Sequence, residues 1–237
     1  MSQQDSSSND STQLAKLKAN EIHAYFEKIA SPYDFFNHFF SLGIDYYWRH
    51  FLLQKVQDAK PLNVLDLATG SGDVALGLQS KNIQTVGADF CYPMLAQAQK
   101  KKCHHLLLAD AHQLPFKENC FDCITVAFGF RNFTRKPQAL REMLRVLRPN
   151  GQAFILEFSQ PNKWIRPLYF FYLSRIMPGI TSLLYREKSA YEHLSNSVQA
   201  FPEAQNLQQQ IEKSGFSRVI YHRLTLGTVA LHIASKN

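Results

Sequence analysis

The chain has 237 residues, 26 Lys and Arg against 19 Asp and Glu, a formal charge of +7 and 45% hydrophobic content. This supports one sizeable α/β core or two small ones and excludes a disordered scaffold. The charge favours an anionic partner without separating nucleic acid, membrane or small acids, and basic runs such as QKKKCHH read as solvated helix faces.

The opening MSQQDSSSND lacks the basic start and apolar run of a secretory signal, so residues 1–12 read as a disordered tail and a cytoplasmic location is expected. The remainder, 13–237, reads as one domain. Over residues 13–60, apolar positions such as Ile22, Phe26 and Ile29 recur at helical spacing, predicting an N-terminal helical cap. From 61 to 160, short β-type runs alternate with helical stretches, which implies a parallel sheet wrapped by helices on both faces. Residues 161–215 interrupt that rhythm with the aromatic helical insertion KWIRPLYFFYLSRIMPGITSLLYR, and 216–237 read as two strands joined at a Gly-containing turn, an antiparallel terminal hairpin.

Cys91, Cys103, Cys120 and Cys123 form no disulfide framework. The pair Cys120 and Cys123 has neither a helix start to activate a thiol nor a second pair to complete a zinc site, so no metal is expected and a reducing cytosol fits.

VLDLATGSGD is a strand, Val64 to Leu67, that runs into a turn with Gly70 and Gly72 and then a helix from about Asp73. Glycines there let backbone approach a ligand, but Ala68 or Thr69 stands where a dinucleotide fingerprint needs its first glycine. Asp89 ends the second strand near the ~20-residue offset at which an acid accepts from ribose hydroxyls. Asp110 ends the third strand, near the place for an adenine amino group. Together Asp66, Asp89 and Asp110 would repel a pyrophosphate but suit a cationic adenosine ligand without phosphate, which is S-adenosylmethionine. Taken singly, each reads equally well as a strand-end aspartate capping a helix.

These motifs resemble the class I methyltransferases and, within them, the ubiquinone/menaquinone biosynthesis C-methyltransferases. The resemblance is carried by SPYDFFNHFFSLGIDYYWRHF, VLDLATGSGD, LPFKENCFDCITVAFGFRNFTRKPQALREMLRVLRPNGQAFILEFSQP and the tail YEHLSNSVQAFP with GFSRVIYHRLTLGTVALH. It implies a Rossmann-like, mostly parallel sheet and S-adenosylmethionine-dependent methylation of a polyprenyl quinol ring, either a demethylmenaquinol or a 2-methoxy-6-polyprenyl-1,4-benzoquinol. It also implies that Ser71, Asp89, and Asp110 with Ala111 contact the cofactor; Ala127, where family members often carry serine, would contribute backbone or packing only. Members of such families often pair, so a homodimer is an expectation.

C-methylation needs a phenolate to push electron density into the ring, and a free phenol titrates near ~10. Arg131, always charged, suits stabilisation of that phenolate and is expected to matter to chemistry far more than to folding. Asn132 would orient a proton-accepting water or a second ring oxygen, and Tyr33, sharing a helical face with Asn37, would position substrate or relay a proton. The aromatic insertion reads equally as a buried lid and as a peripheral contact on the inner membrane face, and is too interrupted to span a bilayer. Other readings are a methyltransferase for a different lipid or small acceptor, and a basic nucleic-acid binder. Against the second, FGFRNF stands where a base methylase carries D/N-P-P-Y, and no basic groove with interleaved aromatics is evident, so no nucleic-acid partner is expected.

Overall fold

The computed structural model describes Ile22, Ala24, Glu27, His38, residues 41–177 and residues 195–237. The expected tail 1–12, Tyr33, Asn37 and the second half of the aromatic insertion, including Tyr185, lie outside the described residues.

Helix α1 (Ile44–Asp58) buries Asp45, Trp48, Leu52 and Val56, a stripe at three- and four-residue spacing laid against the sheet. The core then alternates as expected: β1 (Asn63–Leu67), α2 (Asp73–Gln79), β2 (Gln84–Asp89), α3 (Tyr92–Lys100), β3 (Leu106–Leu108), β4 (Phe121–Ala127), α4 (Lys136–Val146) and β5 (Leu147–Phe158). Pro93 and Pro137 sit in the first turns of α3 and α4, where a missing N–H costs nothing. Helix α5 (Arg166–Phe171) continues into a π turn (Tyr172–Ile176), followed by α6 (Ala204–Lys213) and the strands β6 (Arg218–Leu224) and β7 (Val229–Ser235).

The seven strands form one sheet in the order β3-β2-β1-β4-β5-β7-β6. The first five are parallel, and β7 lies antiparallel between β5 and β6, as the terminal hairpin required. Two apolar clusters cover its faces. One gathers Leu65, Ile124, Leu140, Met143 and Ile155 with α6 residues Leu207 and Ile211; the other gathers Trp48, Leu52, Val64, Leu78, Phe154 and Leu231.

Strand β5 begins earlier than the run GQAFILEF suggests. Phe121 pairs with Leu147 but Cys123 pairs with Gln152, so Arg148–Gly151 bulge out of the ladder. A Cβ on Gly151 would come within 2.8 Å of the Arg148 carbonyl oxygen and 2.9 Å of that of Asp122, so this bulge needs glycine for space.

All four cysteines are free. Cys123 lies buried inside β4, where burial pushes its thiol up to about 12. Among the described residues no group of His, Cys, Asp or Glu is arranged to hold a metal.

Candidate active site

The switch in strand order lies between β1 and β4, and the carboxyl ends there are where open α/β sheets bind ligands. Both strands end in a left-handed residue that is not glycine: Ala68 at φ 55 and Phe128 at φ 58. The two turns then meet so closely that a Cβ on Gly129 would lie 2.5 Å from the Ala68 Cβ. Ala68 therefore occupies the space that glycine leaves at 129.

Asp66, Thr69 and Thr125 brace the first turn from beneath. Asp66 is 1% exposed and accepts the Thr69 and Thr125 hydroxyls, each at 2.6 Å. Burial pushes its carboxyl up to about 6 despite those bonds. The carboxylate of Asp66, an expected cofactor contact, thus braces the turn, with each oxygen accepting a threonine hydroxyl. Asp89, also buried, accepts the Gly70 amide at 2.8 Å and the Cys91 amide at 2.9 Å, tying the β1 and β2 turns together. Gly70 and Gly72 adopt φ 57 and 85, and a Cβ on Gly72 would meet Ala98 of α3 at 2.9 Å. Ser71 between them is buried.

At the third strand end the Asp110 carboxylate is 57% exposed. It accepts the His112 amide at 2.9 Å and lies 2.5 Å from His112 Nδ1, which holds its carboxyl below the usual range. The other ring nitrogen, Nε2, accepts the Arg135 amide at 3.1 Å, which fixes the proton on Nδ1. Ala111 is buried in the apolar core, and Ala127 ends β4 half-buried.

Arg131 and Asn132 lie in a 3-10 turn (Phe130–Asn132) just past β4. Lys136 holds that turn by donating to the Arg131 carbonyl at 3.0 Å and the Phe133 carbonyl at 3.1 Å. The Arg131 guanidinium is 7% exposed and pairs at 3.0 Å with Glu157, which is fully buried in β5. It also donates to the Phe128 carbonyl and stands 5.2 Å from the Phe158 ring. The second Glu157 oxygen accepts the Arg131 amide at 3.0 Å. Arg131, expected to matter to chemistry far more than to folding, therefore also carries weight in the fold, because losing either partner strands a buried charge. Among the described residues Arg131 Nε, also buried, has no hydrogen-bond partner.

An aromatic group joins this corner to α1. Phe128 packs on Phe158 at 5.1 Å, and Trp48 lies 5.8 and 6.2 Å from them. Arg49 caps the outer face of Phe128 at 5.4 Å and reaches Asp73 at the start of α2, which also pairs with Lys101 at 2.7 Å. Glu157 went unread in the sequence although a lone acid inside the apolar run AFILEF was the available signal. His112 and Lys136 gave none.

S-adenosylmethionine fits these residues. Asp89 is buried yet at a strand tip, and an ionised carboxylate accepts at about four positions, so it can serve two amides and a ligand diol together. The glycine turn lets backbone approach, and Asp110 offers an exposed acceptor one strand further along.

The chain resembles known proteins over nearly its whole length. Residues 14–236 match the ubiE/COQ5 methyltransferase family. A demethylmenaquinone methyltransferase of Thermus thermophilus is 41% identical over 219 residues, covering 89% of this chain and 99% of that protein. A ubiquinone/menaquinone biosynthesis C-methyltransferase of Chromobacterium violaceum is 38% identical over 224 residues, covering 91% of each. Among solved structures, a Thermotoga maritima SAM-dependent methyltransferase, described as a possible histamine N-methyltransferase, superposes with a TM-score of 0.63 at 18% identity over 90% of this chain and 99% of the other. That likeness shows the fold, a class I methyltransferase sheet. With a family match spanning residues 14–236 and relatives of nearly the same extent, the chain belongs to the ubiE/COQ5 methyltransferase family and is a methyltransferase.

Proposed function

We propose that the protein methylates a ring carbon of a polyprenyl quinol, a demethylmenaquinol or a 2-methoxy-6-polyprenyl-1,4-benzoquinol, with S-adenosylmethionine held at Gly70–Gly72, Asp89, and Asp110 with Ala111. S-adenosylmethionine supplies an electrophilic methyl group on a sulfonium centre. The names of the relatives from Thermus thermophilus and Chromobacterium violaceum support this substrate class.

The observation that carries the reading is the Arg131 guanidinium, fixed at the sheet's carboxyl edge, with its Nε–H unpaired among the described residues. A quinol hydroxyl must lose its proton before the ring carbon becomes nucleophilic, and an arginine cannot accept that proton. Arg131 instead donates to the phenolate oxygen as charge develops. Because Glu157 neutralises its charge, it acts as a directed, preorganised donor rather than a lone cation. Asn132, one residue on, orients the water that takes the proton. Tyr33 is assigned the positioning role its place on the N-terminal segment suggests.

The test is redox dependence. Purified protein with methyl-labelled S-adenosylmethionine should label a reduced short-prenyl naphthoquinol or benzoquinol and leave the oxidised quinones unlabelled, because only the quinol yields a phenolate. Equal labelling of both forms would refute the phenolate mechanism, and no labelling of either would refute the substrate class.

A further inference from the structure

Trp164, Leu168 and Phe171 are 73%, 66% and 56% exposed, in the turn before α5 and on α5 itself. Their spacings of four and three place them on one side of the segment, and Ile176, 42% exposed, follows in the π turn. Single exposed apolar residues are ordinary, but a contiguous row of large ones is not.

A second element lies beside them. The tip of the β6–β7 hairpin carries Leu226, 48% exposed and left-handed at φ 56, in the conformation glycine would favour. Its carbonyl accepts the Asn162 amide at 3.0 Å, which brings the tip next to the start of this segment. Neither folding nor the reaction accounts for a strained, exposed leucine there.

The surrounding charge is predominantly basic. From Phe158 to Arg186 the sequence contains no Asp or Glu but has Lys163, Arg166, Arg175 and Arg186. Arg166 is paired with Glu203 at 2.7 Å, a carboxylate that also feels Lys163 and Arg223, so three cations surround one acid; Lys163 and Arg175 are exposed and make no ion pair within 4 Å among the described residues. Rings and aliphatic side chains flanked by cations match an anionic lipid interface, where apolar groups enter the acyl boundary and cations meet headgroups. No helix among the described residues is long and apolar enough to cross a bilayer.

We infer that the Trp164–Leu168–Phe171 row and the Leu226 tip form a docking face for an anionic membrane surface. The inference rests on the proposed lipid substrate, since a polyprenyl quinol lies in the bilayer that such a face would meet. It commits to lipid rather than to a second copy of the chain, because a self-complementary face would set Lys163 and Arg175 against their own copies.

The two tryptophans make the test specific. Trp48 is 5% exposed and donates to Thr225 at 2.7 Å, while Trp164 is 73% exposed, so an emission change on binding reports Trp164. The full chain should co-sediment with phosphatidylglycerol-containing vesicles, with a blue shift that Trp164→Ser removes, and should leave pure phosphatidylcholine vesicles largely unbound. Leu168→Gln with Phe171→Gln should weaken vesicle binding at least tenfold, and Lys163→Gln with Arg175→Gln should weaken it and reduce its salt dependence. Both variants should methylate a detergent-dispersed short-prenyl quinol at the wild-type rate, which shows that they fold. Wild-type chain that ignores anionic vesicles, a glutamine pair that binds them undiminished, or a wild-type dimer that the glutamine pair splits would each overturn the inference. Vesicle binding without turnover of any quinol would instead refute the proposed substrate and leave the docking face standing.

Discussion

Replacing Arg131 and Glu157 singly and together separates what this pair does for the fold from what it does for chemistry. With side chains 7% and 0% exposed, the pair is shielded from solvent, so removing one partner strands a buried charge at a cost of about 3–5 kcal/mol. Arg131→Met also removes the donor to the Phe128 carbonyl, which places it toward the upper end of that range. For an unfolding slope near ~3 kcal/mol per molar urea, each single variant should lower the midpoint by roughly 1–1.7 M. Arg131→Met with Glu157→Leu removes both charges and fills the space with apolar groups, a change that is often neutral in stability. The double variant should therefore recover most of the loss, and with singles of about 3–5 kcal/mol each the coupling should be roughly 5–9 kcal/mol by equilibrium urea unfolding followed by circular dichroism. It should bind S-adenosylmethionine yet remain inactive, because the donor to the phenolate is gone. Single variants within ~1 kcal/mol of wild type, or costs that simply add, would refute the buried-pair argument.

Gly129→Ala should destabilise by about 1–3 kcal/mol through its clash with Ala68, and Ala68→Gly, which also relieves a left-handed alanine, should restore most of it; thermal midpoints of the two singles and the double decide. Two buried groups titrate with opposite signs. Asp66, raised from 3.8 to about 6, contributes stability at low pH that is lost as pH rises through about 6. His232, lowered from 6.5 to about 4, contributes stability above 6.5 that is lost as pH falls toward 4. Each amounts to ~3 kcal/mol over its window. Asp66→Asn should therefore steepen acid destabilisation between pH 6.5 and 4, and His232→Gln should leave stability falling as pH rises from 4 to 6, both read from urea midpoints across pH. Asp89→Asn should weaken S-adenosylmethionine roughly 10–100-fold by calorimetry, the range expected for hydrogen bonds to a charged acceptor, and should lower unfolding stability by about 1–3 kcal/mol, because one amide oxygen cannot serve both the Gly70 and Cys91 N–H groups.

The sheet was legible because its signals are local. Period-two runs ending in glycine or aspartate placed β1, β2 and β4, and two short strands around TLGT gave the antiparallel hairpin that the register shows. Asp89 and Asp110 could be placed at the ends of β2 and β3 because strand ends are marked in the chain. What escaped is non-local. Arg131 and Glu157 are separated by 26 residues and meet because β4 and β5 are neighbours, so only the folded register reveals that the guanidinium is paired. Asp66 reads like the other strand-end acids, and only the fold shows that Thr125, 59 residues away, donates to it. The left-handed turns at Ala68 and Phe128 carry no residue that announces positive φ, and the bulge at Arg148–Gly151 hides inside what looks like an ordinary turn.

The central claim is that the new bond is to ring carbon. Incubating the protein with carbon-13 methyl-labelled S-adenosylmethionine and a reduced demethylated quinol, then recording the product's carbon spectrum, tests it directly. The account predicts one labelled methyl at the chemical shift of an aryl–CH₃ group, absent with Arg131→Met/Glu157→Leu. A labelled methyl at the shift of an aryl–OCH₃ or N–CH₃ group would contradict it.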